Sequence, residues 1–467
     1  MRRRALLQAA AGAAFAAGGA ARAQSVGYSA DDLAHATLLR ESALRENEAW
    51  KLVESLTTDV GARPAGSAAD ARAAAWGVAA LRRLGLSNAR AENIPLRIWQ
   101  RGPAAARLVA PAPQALVMAA LGNSVAAPAG GIEADVAWYP DLAALKADSS
   151  DKARGKIVFI DQKTERTRDG RGYGAAVGAR FSGATEAARR GAVAVAIRSI
   201  GTDRDRIAHT GAMGYDLSLP RIPAFAVSVP DADMLARLNA RGETLRLQFT
   251  LEARSDVEAT THNVIAEIPG TDLADEIVLL GAHLDSWDLG QGAIDDGAGV
   301  AIVSAALGVL QKAGRKPRRT VRVVLFGNEE NGFDGARNYG DRYGGAKHQL
   351  VSESDFGAGR VWRFASRVQP AALPLLDAMA AQLAPLGVER AGNDGNPGPD
   401  AAVLMRRHKW PAVGLGQDGT NYFDVHHTEN DTLDKVDPVA LTQNVACWAV
   451  VAWLAAQAPM PFGPAVL

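Results

Sequence analysis

Short apolar runs alternate with longer periodic runs through the second half of the chain. NVIAEIPG, EIVLLGAHLD and RTVRVVLFGNEE are rich in Val, Ile and Leu, end in Gly, Pro or acidic residues, and read as strands. GVAIVSAALGVLQKAG is apolar on nearly every side and reads as a buried helix. FDGARNYGDRYG, ALPLLDAMAAQLAPLG and DPVALTQNVACWAVVAWLAAQ read as further helices, with QLVSESD and PAVGLG as strands. Apolar strands alternating with helices predict an α/β fold with a mixed, largely parallel sheet covered by helices on both faces. Near the start, DDLAHATLLRESALRENEAWKLVESL and AADARAAAWGVAALRRLGL read as helices separated by a turn at GARPAGS, and strand-like ARAENIPLRIW follows.

From about residue 102 to residue 256 the texture shortens. GKIVFID, GATEAARRGAVAVAIRSIG, IPAFAVSVPDADMLARL and TLRLQFTLEA give short strands and helices in alternation, expected as a smaller α/β unit inserted into the main one. The division expected is a leader at 1–23, the main domain in two parts at 24–101 and 257–467, and the insertion at 102–256. The leader MRRRALLQAAAGAAFAAGGAARAQS has a basic start, an apolar middle and a small-residue end at Ala23, the pattern of a cleaved export signal. RRALLQ also fits the twin-arginine type, so the expected location is periplasmic or secreted. No other stretch reads as long and apolar enough to span a bilayer, so no stable membrane insertion is expected.

Composition narrows the function. Lys+Arg and Asp+Glu are both 51, so the charges cancel, which argues against a general nucleic-acid binder. Cys447 is the single cysteine, which excludes an intrachain disulfide and a cysteine metal site; its apolar helical context makes it a core residue.

The candidate chemistry sits where strands end, as expected for open α/β sheets. His283 and Asp285 close EIVLLGAHLD, Asp295 and Asp296 precede the buried helix, and Glu329 and Glu330 close RTVRVVLFGNEE. Asp355 closes QLVSESD, and His426 and His427 follow PAVGLG. Singly, each has an ordinary reading: a turn, an N-cap at Asp296, a solvated acidic pair, a surface histidine pair. Jointly they bring carboxylates and imidazoles to one edge, where like charges repel and lose hydration. Arg and Lys are scarce in these segments, so a divalent metal is the simplest compensation; this donor set suits zinc, with cobalt or manganese as substitutes.

In order, GAHLDSWDLGQGAIDDGAGVA, FGNEENGFDGA, ESD and HHTENDT resemble the co-catalytic zinc exopeptidases of the M28 type, a family that includes secreted aminopeptidases and a carboxypeptidase Q-like branch. The resemblance covers residues 31–99 and 262 to the end, and the intervening block resembles a protease-associated domain. It implies two zinc ions per chain. His283 and Asp355 would hold one, Glu330 and His427 the other, and Asp295 would bridge them. His427 rather than His426 is the expected ligand because it directly precedes Thr428. Glu329 would be the general base acting with a metal-bridging hydroxide. Asp285 would accept a hydrogen bond from His283 and fix its tautomer. Asp431 would orient the His427 loop, and a turn eased by Gly332 would aim Glu329 and Glu330 inward. Phe356 stands where the family often has a smaller residue and would narrow the pocket.

The implied substrates are short peptides that lose single terminal residues, by aminopeptidase or dipeptidase action first and carboxypeptidase action as the alternative. A homodimer is allowed. Two readings of another class remain: a glutaminyl cyclase-like acyltransferase with one zinc, and a non-catalytic receptor-like protein. The Arg/Gly-rich ERTRDGRGYGAAVGARF, residues 165–181, reads as a solvated loop; its sharper reading is that Arg171 or Arg180 reaches the site and binds a peptide carboxylate bidentately.

Overall fold

The computed structural model describes residues 27–467. The leader and its cleavage point after Ala23 lie outside the described residues. Four parallel strands form the centre of the main sheet, in the order Ala412–Gln417, Lys347–Glu353, Leu273–His283, Arg319–Phe326. Their residues are largely buried, as the continuous apolar runs require of a sheet covered on both faces. The helices Ala298–Lys312, Pro438–Gln457, Ala30–Arg45 and Ala68–Arg83 share one large core with one face of this sheet. Asp334–Tyr343 and Pro399–His408 share a smaller core with the other.

Ala298–Lys312 is buried from Ala298 to Leu310, as its all-round apolar sequence demands. The helical stretch Ala293–Lys312, which includes this helix, and Pro438–Gln457 are long and apolar enough to cross a membrane by composition, contrary to the sequence reading, but both are buried within the protein. Cys447 lies on the second and is fully buried.

TLRLQFTLEA and NVIAEIPG, read as two strands, belong to a single strand, Arg246–Ile268. It pairs antiparallel with Ser87–Ala110 from Ser87↔Glu267 to Ala110↔Arg246. The change of texture near residue 102 therefore falls inside one continuous ribbon, not in a linker. Beyond the ribbon, Ile132–Tyr139, Ile157–Ile160, Ala194–Arg198 and Ala224–Val227 form a parallel set with separate cores on its two faces.

Register places the chemistry. His283 pairs with Phe326, and Gly281 pairs with Glu353. His283, the Glu329–Glu330 turn and Asp355 therefore leave the sheet at one level, on its carboxyl edge.

Candidate active site

The carboxyl edge gathers the expected side chains into one buried cluster. His283 Nε2 stands 3.1 Å from Asp295 Oδ1 and 3.6 Å from Asp355 Oδ1. His427 Nε2 stands 3.1 Å from Glu330 Oε2 and 3.2 Å from Asp295 Oδ2. Asp295 thus lies between two half-sites, each completed by one histidine and one further carboxylate. Both rings are turned by their other nitrogen. His283 Nδ1 contacts the Asp285 carbonyl at 3.0 Å and His427 Nδ1 the Thr210 carbonyl at 3.3 Å, which places a proton on each Nδ1 and points each Nε2 at the carboxylates.

These donors fit a metal. Asp295 Oδ2 and Glu330 Oε1 are buried without a hydrogen bond, an expensive state for a carboxylate; Asp295 Oδ2 has only imidazole nitrogens near it, His427 Nε2 at 3.2 Å and His426 Nε2 at 3.5 Å. Donor atoms of His283, Asp295 and Glu330 all lie within 4.8 Å of one another. The electrostatics point the same way. Burial alone would lower the His283 pKa, yet Asp355, Asp295 and Asp296 raise it well above its ordinary value. Burial opposes His427 likewise, and Glu330 and Asp295 lift it to about 9. Asp295, despite burial, is held well below the usual range by its contacts with His283 and His427. Burial raises Glu330, against the pull of His427. The cluster draws positive charge wherever it can find it.

Neighbouring residues hold these groups in place, in several respects differently from expectation. The Asp285 carboxylate does not accept from His283: its Oδ1 is 3.8 Å from Nδ1, and the strand-end turn brings the Asp285 carbonyl closer. Its oxygens instead accept the backbone N–H groups of Glu329 at 3.1 Å and Glu330 at 3.4 Å, fixing the turn that carries both glutamates. That turn draws its left-handed residues from Asn328 (φ 61°) and Phe333 (φ 59°), not from Gly332. Asp431 orients the Asp295 loop more directly than its own, accepting from Ile294 N at 2.6 Å and Asp295 N at 3.1 Å. Asp296 accepts from His283 N and Gly299 N, each at 3.1 Å, and so caps the buried helix.

Glu329 has no hydrogen bond from its carboxylate to the protein and lines a cavity of about 710 Å³ shared with Asp295, Glu330, Asp355 and His427. Burial raises its pKa well above the usual glutamate value; His283 opposes this, and Asp355 and Glu330 add to it. Phe356 lines the same cavity and packs against Gly170, where a Cβ would lie 2.7 Å from its ring.

Four features were missed from sequence. Arg63 is fully buried; its guanidinium donates to the carbonyls of Leu284 at 2.5 Å, Gln291 at 2.8 Å and Gly292 at 2.8 Å. A buried cation therefore does stand beside the cluster, contrary to the reading that none would, but it bonds to backbone and leaves the carboxylate oxygens unpaired. His209, from the middle of the chain, bridges Asp203 Oδ2 at 2.6 Å and the His426 carbonyl at 2.8 Å. Thr210 N donates to the His427 carbonyl at 3.0 Å. Arg166 pairs with Asp424 at 2.5 Å. Nothing in GARPAGS or AHTGAM marks these roles, since each depends on a partner more than 200 positions away.

Comparison with known proteins decides the family. A model described as peptidase family M28 matches residues 263–452. Carboxypeptidase Q of Mus musculus is 33% identical over 413 residues, covering 88% of this chain and 86% of that protein. The chain belongs to peptidase family M28. A crystal structure of a peptidase M28 precursor from Shewanella amazonensis superposes with a TM-score of 0.91 at 44% identity, covering 94% of this chain and 99% of that one. A zinc aminopeptidase from Bacillus subtilis, at 18% identity and TM-score 0.62, covers 86% of this chain and 94% of its own and shares the fold. With its buried metal-binding cluster, this M28 member is a zinc exopeptidase.

Proposed function

We propose that this M28 enzyme is a di-zinc exopeptidase that releases single terminal residues from short peptides. The observation that carries this reading is Asp295, set between a His283–Asp355 half-site and a His427–Glu330 half-site, with one oxygen buried and unpaired. His283 and Asp355 would hold one zinc, His427 and Glu330 the other, and Asp295 would contribute to both. When bound, the ions supply Lewis acidity that polarises the scissile carbonyl and acidifies water. The chain's own residues do the rest. Glu329 takes the proton of the attacking water and returns it to the leaving amine; a carboxyl raised above its usual pKa suits both halves of that transfer. Asp285 holds Glu329 and Glu330 by their amides, and Asp431 holds Asp295 by its amide. A second reading, carboxypeptidase rather than aminopeptidase or dipeptidase action, is favoured by the similarity to carboxypeptidase Q over 88% of the chain.

The test is zinc content together with hydrolysis of one tripeptide offered free, N-blocked and C-blocked. About two zincs per chain and release of terminal residues are expected. Loss of cleavage on N-blocking alone gives an aminopeptidase, and on C-blocking alone a carboxypeptidase. One zinc with pyroglutamate formation establishes a cyclase instead, and near-zero zinc without hydrolysis a receptor-like protein.

The two adjacent histidines should separate cleanly. His427 reaches both Asp295 and Glu330, whereas His426 reaches only Asp295, at 3.5 Å, and stacks on His427 with a 3.5 Å ring separation. His427→Gln is expected to lower zinc occupancy and to cut kcat/KM by more than about 100-fold, whereas His426→Gln costs about 10-fold or less. Metal analysis beside peptide kinetics reads both; equal zinc loss in the two variants would reverse the assignment.

A further inference from the structure

His427 is the one member of the zinc cluster whose backbone is left-handed, with φ 60°. A side chain makes that conformation costly, and it persists only where surrounding groups fix it. The loop's own hydrogen bonds stop short of the residue: His426 N donates to the Tyr422 carbonyl at 3.0 Å, and Thr428 N to the Val425 carbonyl at 3.1 Å. The two carbonyls that flank the His427 α-carbon are held from elsewhere. His209 Nδ1 meets the His426 carbonyl at 2.8 Å, and Thr210 N donates to the His427 carbonyl at 3.0 Å. No other donor reaches either carbonyl among the described residues. Peptide groups are planar, so anchoring the plane on each side of one α-carbon sets its φ and ψ.

Both donors come from residues 199–212, between the strands Ala194–Arg198 and Ala224–Val227. That segment is built around His209, which is 1% exposed. A carbonyl can only accept, so Nδ1 carries a proton; Nε2 lies 2.6 Å from Asp203 Oδ2, and this buried carboxyl keeps the ring turned toward His426. Asp203 Oδ1 accepts from Asp205 N at 2.8 Å, and His209 N donates to Ser199 Oγ at 2.9 Å. A Cβ at Gly201 would collide with the His209 ring, so only glycine lets the chain pass so close. Thr210 is fixed in turn: its Oγ1 donates to the Ala120 carbonyl at 2.8 Å and accepts from Arg101 Nη2 at 2.9 Å. The Arg166–Asp424 pair already ties the neighbouring segments together at the surface. The buried pair adds something that tie does not: a hydrogen bond that ends on the peptide group leading into His427.

We propose that Asp203 and His209 are positioning residues of the zinc centre, which hold His427 in its left-handed conformation so that its Nε2 stays on Glu330 and Asp295. The middle of the chain is then part of the metal site without supplying a ligand. The inference rests on the di-zinc reading and deepens it.

The test titrates zinc-free enzyme with zinc against a chelating dye and follows denaturation of the zinc-free protein alongside. His209→Gln keeps a group near Nε2 for Asp203 and loses the donor to the His426 carbonyl. It should weaken one of the two zinc sites about 10- to 100-fold, the usual cost of losing a residue that orients a ligand, and leave the other near wild type. His209→Asn places its amide nitrogen near Nδ1 and should retain most of that affinity. Asp203→Ala frees the ring and should weaken the same site about 10-fold, which keeps the test open if His209→Gln does not fold. The unfolding midpoint of the zinc-free protein should be similar in His209→Gln and His209→Asn. On a His427→Gln background, His209→Gln should cost no further zinc affinity, because the residue it positions is already gone.

Unchanged zinc affinity in both His209→Gln and Asp203→Ala overturns the proposal. Equal losses in His209→Gln and His209→Asn, or weakening of both zinc sites with a lowered unfolding midpoint, mark a packing role and also overturn it. So does a further loss of zinc affinity from His209→Gln on the His427→Gln background. Wild-type enzyme that takes up no zinc sinks the di-zinc reading and this inference with it, a result that shows before any residue is changed.

Discussion

Glu329→Gln is expected to lower kcat by about 10²- to 10⁴-fold, the usual worth of a positioned general base, while leaving zinc content and KM near wild type. The expectation follows from where Glu329 sits. Its carboxylate faces the cavity without a protein hydrogen bond, while its amide is tied to Asp285 Oδ1 at 3.1 Å. Glutamine keeps the shape and the amide tie and removes only the ability to take a proton. The adjacent Glu330 cannot substitute, because its Oε2 lies 3.1 Å from His427 in the metal cluster. Steady-state kinetics with metal analysis on the same preparation decides it. A variant that loses zinc as well as kcat would show that Glu329 is part of the metal site, and one that retains full kcat would remove Glu329 from the reaction.

Arg63→Met should be the most destabilising single change in the molecule outside the hydrophobic core. Arg63 is fully buried, and burial pushes its pKa down while Asp431, Asp285, Asp296 and Asp295 push it back up. Its nitrogens hold the carbonyls of Leu284, Gln291 and Gly292 at the two ends of the loop that leads from His283 to Asp295. Methionine fills much of the volume but removes the side-chain donor to the Leu284 and Gln291 carbonyls, leaves the Gly292 carbonyl with Gly297 N alone, and removes a buried cation beside the acids. A loss of about 3–5 kcal/mol is expected by analogy with breaking one side of a buried ionic contact. Chemical denaturation measures it, and zinc affinity should fall in parallel because the loop carries Asp295. A variant with wild-type stability and weakened zinc binding would confine Arg63 to the electrostatics of the site.

The sheet and the identity of its edge residues were legible because they follow from local rules. Apolar runs such as EIVLLGAH and VVLF can only be interior strands, and a parallel sheet puts the ends of such strands on one side. Once the strands are aligned, His283, Glu329–Glu330, Asp355 and His427 have no choice but to meet. The resemblance to M28 proteins then sorted one carboxylate from another, which periodicity alone cannot do.

Some local predictions failed for physical reasons. Gly332 was expected to ease the glutamate turn, but Asn328 takes the left-handed conformation, as asparagine tolerates, and Phe333 takes it too. Asp285 was expected to serve His283 by its side chain, but two backbone amides at the end of the next strand compete for that carboxylate and win.

What the sequence by itself determined is the α/β class, the order of the strands' chemistry and the donor set that suits zinc, all of them consequences of residue type and short-range pattern. Only the tertiary structure decided what surrounds that set. Arg63 reaches it from the turn before the helix Ala68–Arg83, and His209 and Thr210 reach it from the middle of the chain. Their roles rest on hydrogen-bond geometry between segments hundreds of residues apart, and a lone arginine or threonine in a glycine-rich loop looks the same in sequence whether it faces water or a metal site.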